Sequence, residues 1–160
     1  MFRNKFILRN VVATAICLAG VAMFSSCDKE NSNDSSGSLK VGQKYQGGIV
    51  FYIDDTGKHG LIAAPKDEMG LYTWEEAIDI CDKKVLDGYD DWYLPSKGEL
   101  HELYLNRYAI SGFSNEIYWS SSGSWHYDAW YQNFNNGRQD NYNPSIYNYA
   151  TYRVRSIRSF

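Results

Sequence analysis

Three histidines, three cysteines and nineteen carboxylates are the groups in this 160-residue chain that could ligate a metal, attack a substrate or carry a proton. Their spacing supports none of these chemistries. His59, His101 and His126 show no zinc-ligand spacing and have no local nucleophile beside them. His59 reads as a surface or hairpin residue, and His101 as part of the solvated face of a helix. Asp54-Asp55 and Asp90-Asp91 are paired carboxylates, but neither pair forms a recognised calcium loop. Solvated turn residues are the ordinary reading for both. Gly47-Gly48, Gly57 and Gly60 punctuate turns and are not phosphate loops. The expectation is a protein without catalytic residues, metal or cofactor.

The residues that do stand out suit recognition. Tyr118–Tyr152 spans 35 positions, of which 20 are Tyr, Asn, Ser or Asp; it holds seven of the chain's 14 tyrosines. Its charged residues are Asp128, Arg138 and Asp140. Tyr and Trp offer large, stiff, amphipathic contact area, while Ser, Asn and Gly adapt their hydrogen bonding, as in antibody combining loops. Clustered aromatics at a surface usually mark contact. Trp125, His126, Tyr127, Asp128, Tyr131, Asn133, Asn135, Asn136, Arg138, Asp140, Tyr142, Asn143, Ser145, Tyr147 and Tyr149 are the candidate ligand-binding residues. Aromatic faces stack on sugar rings and Asn or Asp bond their hydroxyls, so protein and glycan ligands are both open. A sulfated glycan would call for a basic patch, which Arg153, Arg155 and Arg158 would have to supply; those arginines fit a structural terminal strand better.

The elements that must position this stretch can be read from pattern. Gly47–Ile53 and Gly60–Ala64 are β-rich runs joined by Asp54-Asp55-Thr56-Gly57, which predicts a hairpin. Thr73-Trp74-Glu75-Glu76 is a capping box, and Trp74, Ala77, Ile78 and Cys81 follow at helical spacing, giving a helix that ends near Lys84. A second box, Ser96 to Glu99, opens a helix whose buried face is Leu100, Leu103 and Tyr104 and which lasts to about Arg107. Pro95 bars the strand-like Trp92-Tyr93-Leu94 from running on as helix. No helical pattern follows Gly112. Ile117–Trp119, Ala129–Phe134 and Arg153–Ile157 read as strands. Within Ala129–Phe134, alternation should bury Trp130 and Phe134 and turn Tyr131 and Asn133 outward. Hairpin, two helices and a β-rich C-terminal half make an α+β domain.

The N-terminus predicts that this domain is exported. Arg3, Lys5 and Arg9 precede an apolar run of 14 residues, Val11 to Phe24. That run falls short of the roughly 20 residues a membrane-spanning helix needs, and with small residues after it the segment reads as a secretory signal at 1–26. Phe24-Ser25-Ser26-Cys27 resembles a bacterial lipobox, which implies acylation of Cys27. Residues 27–38 then form the lipidated cysteine and a flexible tether, DKENSNDSSGS, with no apolar residue. Acidic residues directly after the cysteine resemble the surface-export signals of Bacteroidetes lipoproteins. An outer-membrane lipid anchor facing the cell exterior is expected, with a protein or glycan on another cell, phage or host surface as the partner. Without the signal the charge is 13 − 19 = −6, which argues against nucleic acid. Only Cys81 stays in the domain of residues 39–160 as a free thiol, so no internal disulfide forms there, and its place on an apolar helix face makes it structural.

Six motifs occur in order: Gly47-Gly48-Ile49-Val50-Phe51-Tyr52, Thr73-Trp74-Glu75-Glu76-Ala77, Trp92-Tyr93-Leu94-Pro95-Ser96, Tyr118-Trp119-Ser120-Ser121-Ser122, Ala129-Trp130 and Val154-Arg155-Ser156-Ile157-Arg158. Together they resemble the domain family named for the C-terminus of the Legionella collagen-like protein, over nearly all of 41–160. The resemblance implies a C-type-lectin-like fold of the formylglycine-generating-enzyme type, in exported bacterial proteins that bind ligands without catalysis. A formylglycine-generating activity would need a pair of C-terminal cysteines, and the chain has none. Some proteins of this fold are targets of diversity-generating retroelements, which rewrite adenines near the 3′ end of a gene and scatter Asn codons to Tyr, Asp, Ser and similar residues. The Tyr/Asn-rich stretch resembles the product of such rewriting between fixed Trp119, Ala129-Trp130, Phe134, Gly137 and Val154-Arg155.

Overall fold

The computed structural model describes residues 38–124, 128–143 and 150–160. The signal at 1–26, Cys27 and the tether up to residue 37 lie outside the described residues.

Two tight turns seed the first sheet. Strands β1 (Lys44–Tyr45) and β2 (Gly48–Ile53) pair antiparallel with Tyr45 opposite Gly48, leaving Gln46-Gly47 as a two-residue loop. Both loop residues have positive φ, 44° and 83°, which is what a type I′ turn requires to match the twist of its strands. Asp87-Gly88, with φ of 52° and 81°, repeats the device inside the Leu86–Tyr89 bridge. Strand β3 (Gly60–Ala63) pairs with β2 through a register shift between Val50 and Tyr52, confirming the hairpin. Strand β7 (Ile157–Ser159) adds to β3, so the antiparallel order is β1-β2-β3-β7.

Both capping boxes form. Thr73 caps α1 (Trp74–Asp82) and Ser96 caps α2 (Lys97–Leu105). In each box the hydroxyl accepts from the Glu backbone N–H at 3.4 Å. The Glu carboxylate accepts from the cap N–H at 2.9 Å for Glu76 and 2.8 Å for Glu99. Ser96→Ala removes an acceptor of this kind and should cost about 1 kcal/mol, read as a lower urea midpoint at unchanged slope. Each helix stops two residues short of the sequence reading. Lys83 closes α1 through Asp79. At Asn106 the side-chain amide bonds the Glu102 carbonyl at 3.0 Å, and the chain restarts as a one-turn third helix, α3 (Arg107–Ile110), absent from the two-helix expectation.

The second sheet holds β4 (Ile117–Ser124), β5 (Asp128–Asn133) and β6 (Gln139–Tyr142), antiparallel in that order. The sequence reading omitted β6, because Gln-Asp-Asn-Tyr has no apolar alternation; pairing to β5 makes it a strand. It also set a terminal strand at Arg153–Ile157, whereas β7 runs only from Ile157 to Ser159. Residues 152–156 instead stitch the two sheets together. Arg153 donates to the Ile117 carbonyl at 2.9 Å, while Ala64 and Glu68 donate to Ser156 and Val154 at 2.9 Å each. Trp92-Tyr93-Leu94 is no strand either, but a single bridge at Tyr93 to Ile157. The domain is α+β with a strand-rich C-terminal half.

Three apolar clusters fill it. Phe51, Ala63, Leu100, Leu103, Ile110, Tyr118, Phe134 and Ile157 join the two sheets to α2 and α3. Trp74, Ala77, Cys81, Leu94, Trp119, Ala129 and Val154 lie beneath α1. Val50, Ile62, Ala64 and Trp92 cover the other face of the first sheet.

Candidate binding face

Strand β5 is covered on both sides, which corrects the expected alternation. Ala129, Gln132 and Phe134 are buried, while Trp130 and Tyr131 are each half-buried. Trp130 sits at the margin where α2 begins, so a cation covers it instead of a core: Lys97 Nζ lies 3.1 Å from the ring centroid, a cation–π contact. Gln132 is fully buried and fully used. Its amide nitrogen donates to the Gly137 carbonyl at 3.0 Å and meets His101 Nδ1 at 3.1 Å, and its oxygen accepts from Gln139 at 3.2 Å. Because the Gly137 carbonyl can only accept, the nitrogen must face that side, and His101 Nδ1 must be the acceptor. His101, expected on a solvated face, thus also ties α2 to β5.

On the opposite face Tyr131 joins an aromatic cluster centred on fully buried Trp119. Ring centroids of Tyr152, Tyr142 and Tyr131 lie 4.4, 5.8 and 6.3 Å from Trp119, and Tyr131 and Tyr152 are 5.3 Å apart. Trp119 donates its indole N–H to the Tyr72 carbonyl at 2.7 Å, fixing the centre. The Tyr142 hydroxyl accepts from the Ala150 N–H at 3.1 Å. Burial raises the Tyr131 and Tyr152 phenols above their ordinary range, and the Asp140 carboxylate adds to the effect on Tyr131. Tyr152 was not among the candidates, and its alignment with Trp119 across the sheets left no sequence signal.

The remaining candidates split between the two ends of the sheet. Asp128, Tyr142 and Asn143 belong to one end, where Ala129 pairs with Tyr142. The β5–β6 turn is at the other end, about 17 Å away over five strand residues. There Asn133 Oδ1 accepts from the Asn135 N–H at 2.8 Å and Asn136 Oδ1 from the Arg138 N–H at 3.0 Å. These Asx bonds shape the turn. Arg138, largely exposed, pairs with half-buried Asp140 at 2.7 Å. Gly137 has φ of 77° and lies against Tyr104, where an added Cβ would stand 2.6 Å from the ring. Trp125, His126, Tyr127, Ser145, Tyr147 and Tyr149 lie outside the described residues.

A family model described as the Lcl C-terminal domain matches residues 35–158. The chain belongs to this family. No curated protein matches it significantly.

Outside the aromatic cluster, several charged groups of this Lcl C-terminal domain hold the fold together. Arg153 pairs with Glu116, Arg155 with Asp67 at 2.6 Å and Arg158 with Asp91 at 2.6 Å. These pairs hold all three terminal arginines; Asp91 remains solvent-exposed, as expected, while also pairing with Arg158. Asp54 does act as a turn residue, accepting from the Thr56 hydroxyl at 2.7 Å; that bond lowers its pKa. Among the described residues no group of three His, Cys, Asp or Glu could hold a metal.

Cys81 is buried under the Ser156 hydroxyl at 3.3 Å, and burial pushes its thiol up to about 12. Burial raises Tyr118 to about 12 too, helped by its 2.6 Å bond to Asp67, and raises Tyr93. The folded state therefore keeps protons that the unfolded chain releases from about pH 9 upward. It binds more protons than the unfolded state there, so stability is intact below pH 9 and falls through pH 9–12. Urea midpoints at pH 8, 10 and 11 should decline in that order. Cys81 should stay unreactive to a thiol reagent at pH 8 until the domain is unfolded.

Proposed function

We propose that this Lcl C-terminal domain chain is a surface-anchored bacterial lipoprotein, lipidated at Cys27, that binds a ligand through the Tyr/Asn/Ser-rich face of residues 118–152. The observation that carries the reading is the cluster of half-buried Tyr131, Tyr142 and Tyr152 around rigid Trp119. A platform of this kind presents aromatic area with little rotamer freedom left to lose on binding. Its strands lead directly into 125–127 and 144–149, whose composition is the most skewed in the chain. The reading carries with it a C-type-lectin-like fold, an outward-facing outer-membrane anchor, and a protein or glycan partner on another cell, phage or host surface. It assigns no catalysis.

Retroelement diversification belongs to the same proposal, now narrowed. Asn133 and Asn136 shape the β5–β6 turn and Gln132 ties it to α2, so those positions should be held. Sequencing the 3′ end of the gene across sibling strains should show adenine-confined variation at 125–127, 131, 140–143 and 145–149, with 132, 133 and 136 constant. Uniform sequence, with no near-copy template and no reverse transcriptase beside the gene, would reject diversification.

The fixed use of Asn133 and Asn136 favours a second reading, a glycan-binding adhesin with a non-diversified site. A glycan array probed with the full chain and its Tyr131→Ala variant separates the two. Binding that falls at least tenfold in the variant supports the glycan site. Silence of the array, with a protein ligand whose capture depends on Tyr131, rejects it.

A further inference from the structure

Of the five arginines among the described residues, four are ion-paired to carboxylates: Arg138, Arg153, Arg155 and Arg158. Arg107 is not. Segments 125–127 and 144–149 contain no Asp or Glu that could serve it.

Its geometry is unusually fixed for a half-exposed side chain. The guanidinium carbon lies 3.9 Å from the Tyr104 ring centroid and 4.3 Å from that of Tyr108, so the cation is held between two rings. One Nη1–H donates to the Tyr104 carbonyl at 2.7 Å, and one Nη2–H to the Tyr108 hydroxyl at 3.2 Å. A guanidinium has five N–H donors; three remain. Arg107 and Tyr108 border a depression of about 240 Å³ that also takes in Ser111, Phe113, Ser114 and Asn115. Among the described residues no carboxylate lines it. Glu116, which Ser114 touches at 3.3 Å, is already bound to Arg153. Ser111, the C-cap of α3, has a positive φ of 63° and stands at the pocket rim.

We infer that this pocket is a binding site for an acidic monosaccharide unit, its carboxylate on Arg107 and its ring beside Tyr108. A guanidinium edge matches a carboxylate bidentately and binds it more strongly than a neutral group. Ser111, Ser114 and Asn115 supply hydroxyl and amide partners for ring hydroxyls. Tyr108, 83 % exposed, offers the open face of its ring, since Arg107 covers the other. The volume is below the roughly 300–1,000 Å³ of drug-sized sites and suits one ring. The site is separate from the Trp119 cluster and does not depend on it.

The test is saturation-transfer NMR and titration of the full chain with glucuronate and N-acetylneuraminate, with glucose, galactose and N-acetylglycine as probes of neutral ring and bare carboxylate. Saturable binding of at least one sugar acid is expected, with the neutral sugars at least tenfold weaker. Arg107→Gln and Arg107→Lys should each weaken it at least tenfold. Tyr108→Ala, at a position too exposed to disturb folding, should weaken it severalfold, while Val85→Ala, at an exposed position outside both faces, leaves it unchanged. Near-UV circular dichroism identifies any variant that fails to fold, and Tyr108→Ala then decides. Absence of sugar-acid binding overturns the inference. So does equal binding of neutral sugars, affinity within twofold in folded Arg107→Gln, or N-acetylglycine binding as well as the sugar acids, which would make the pocket a receptor for peptide C-termini.

Discussion

Arg155→Ala should destabilise the domain by about 3–5 kcal/mol, a large share of a whole stability that lies near 5–15 kcal/mol for a domain of this kind. The Arg155 side chain is completely buried, and each of its three guanidinium nitrogens is bonded. It donates to Asp67 at 2.6 Å, to the Ala64 carbonyl at 3.0 Å and to the Gly112 carbonyl at 2.8 Å, with its carbon 3.9 Å from the Phe113 centroid. Removing it leaves Asp67 as a mostly buried carboxylate with only the Tyr118 hydroxyl for company, and two carbonyls unpartnered. The unpaired charge dominates this cost, so Asp67→Asn in the alanine background should recover part of the loss. Urea denaturation of wild type, both single variants and the double variant gives the coupling directly. A coupling below 0.5 kcal/mol would show that the pair does not act as a unit.

Trp119→Ala is the second large effect, again about 3–5 kcal/mol for a fully buried aromatic. The position is distinctive because the same ring supports Tyr131, Tyr142 and Tyr152. Losing it should cost stability and release those phenols together. Spectrophotometric titration should then show Tyr131 and Tyr152 returning towards the ordinary phenol range, in a background where the domain still folds at low temperature. Trp119→Phe should keep more of both properties, since a smaller ring leaves a cavity but still contacts Tyr152. Unchanged phenol titration in folded Trp119→Ala would mean that the tyrosines are ordered by something other than Trp119.

What the sequence made legible is what local chemistry decides. Thr73 with Glu76, and Ser96 with Glu99, announce helix starts because the bonds they make span three residues. The β2–β3 hairpin is legible for the same reason. What escaped is set by partners distant in the chain. Gln139-Asp140-Asn141-Tyr142 becomes a strand because β5 offers it a ladder, and nothing in its own pattern says so. Trp130 was misplaced since period-two alternation assumes one wet face, whereas α2 covers one side of β5 and the Trp119 cluster the other. The candidate site was legible as a composition, yet composition cannot separate an asparagine that shapes a turn from one that faces outward. Asn133 and Asn136 shape the turn, and Asn136 is exposed as well. Arg107 carried no signal, because its distinction is the absence of a carboxylate that only three-dimensional placement reveals.

The stitching of the two sheets by residues 152–158 also sets a timetable. Asp67 waits 88 residues for Arg155, Asp91 waits 67 for Arg158, and Gln46 waits 112 for the same arginine. At roughly 5–20 residues per second of synthesis, Asp67 spends about 4–18 s without its partner. Early segments thus emerge with carboxylates that oppose burial, and the core can close only after the arginines arrive. The order of the chain leaves Asp67 and Asp91 without their charge partners until synthesis is nearly complete.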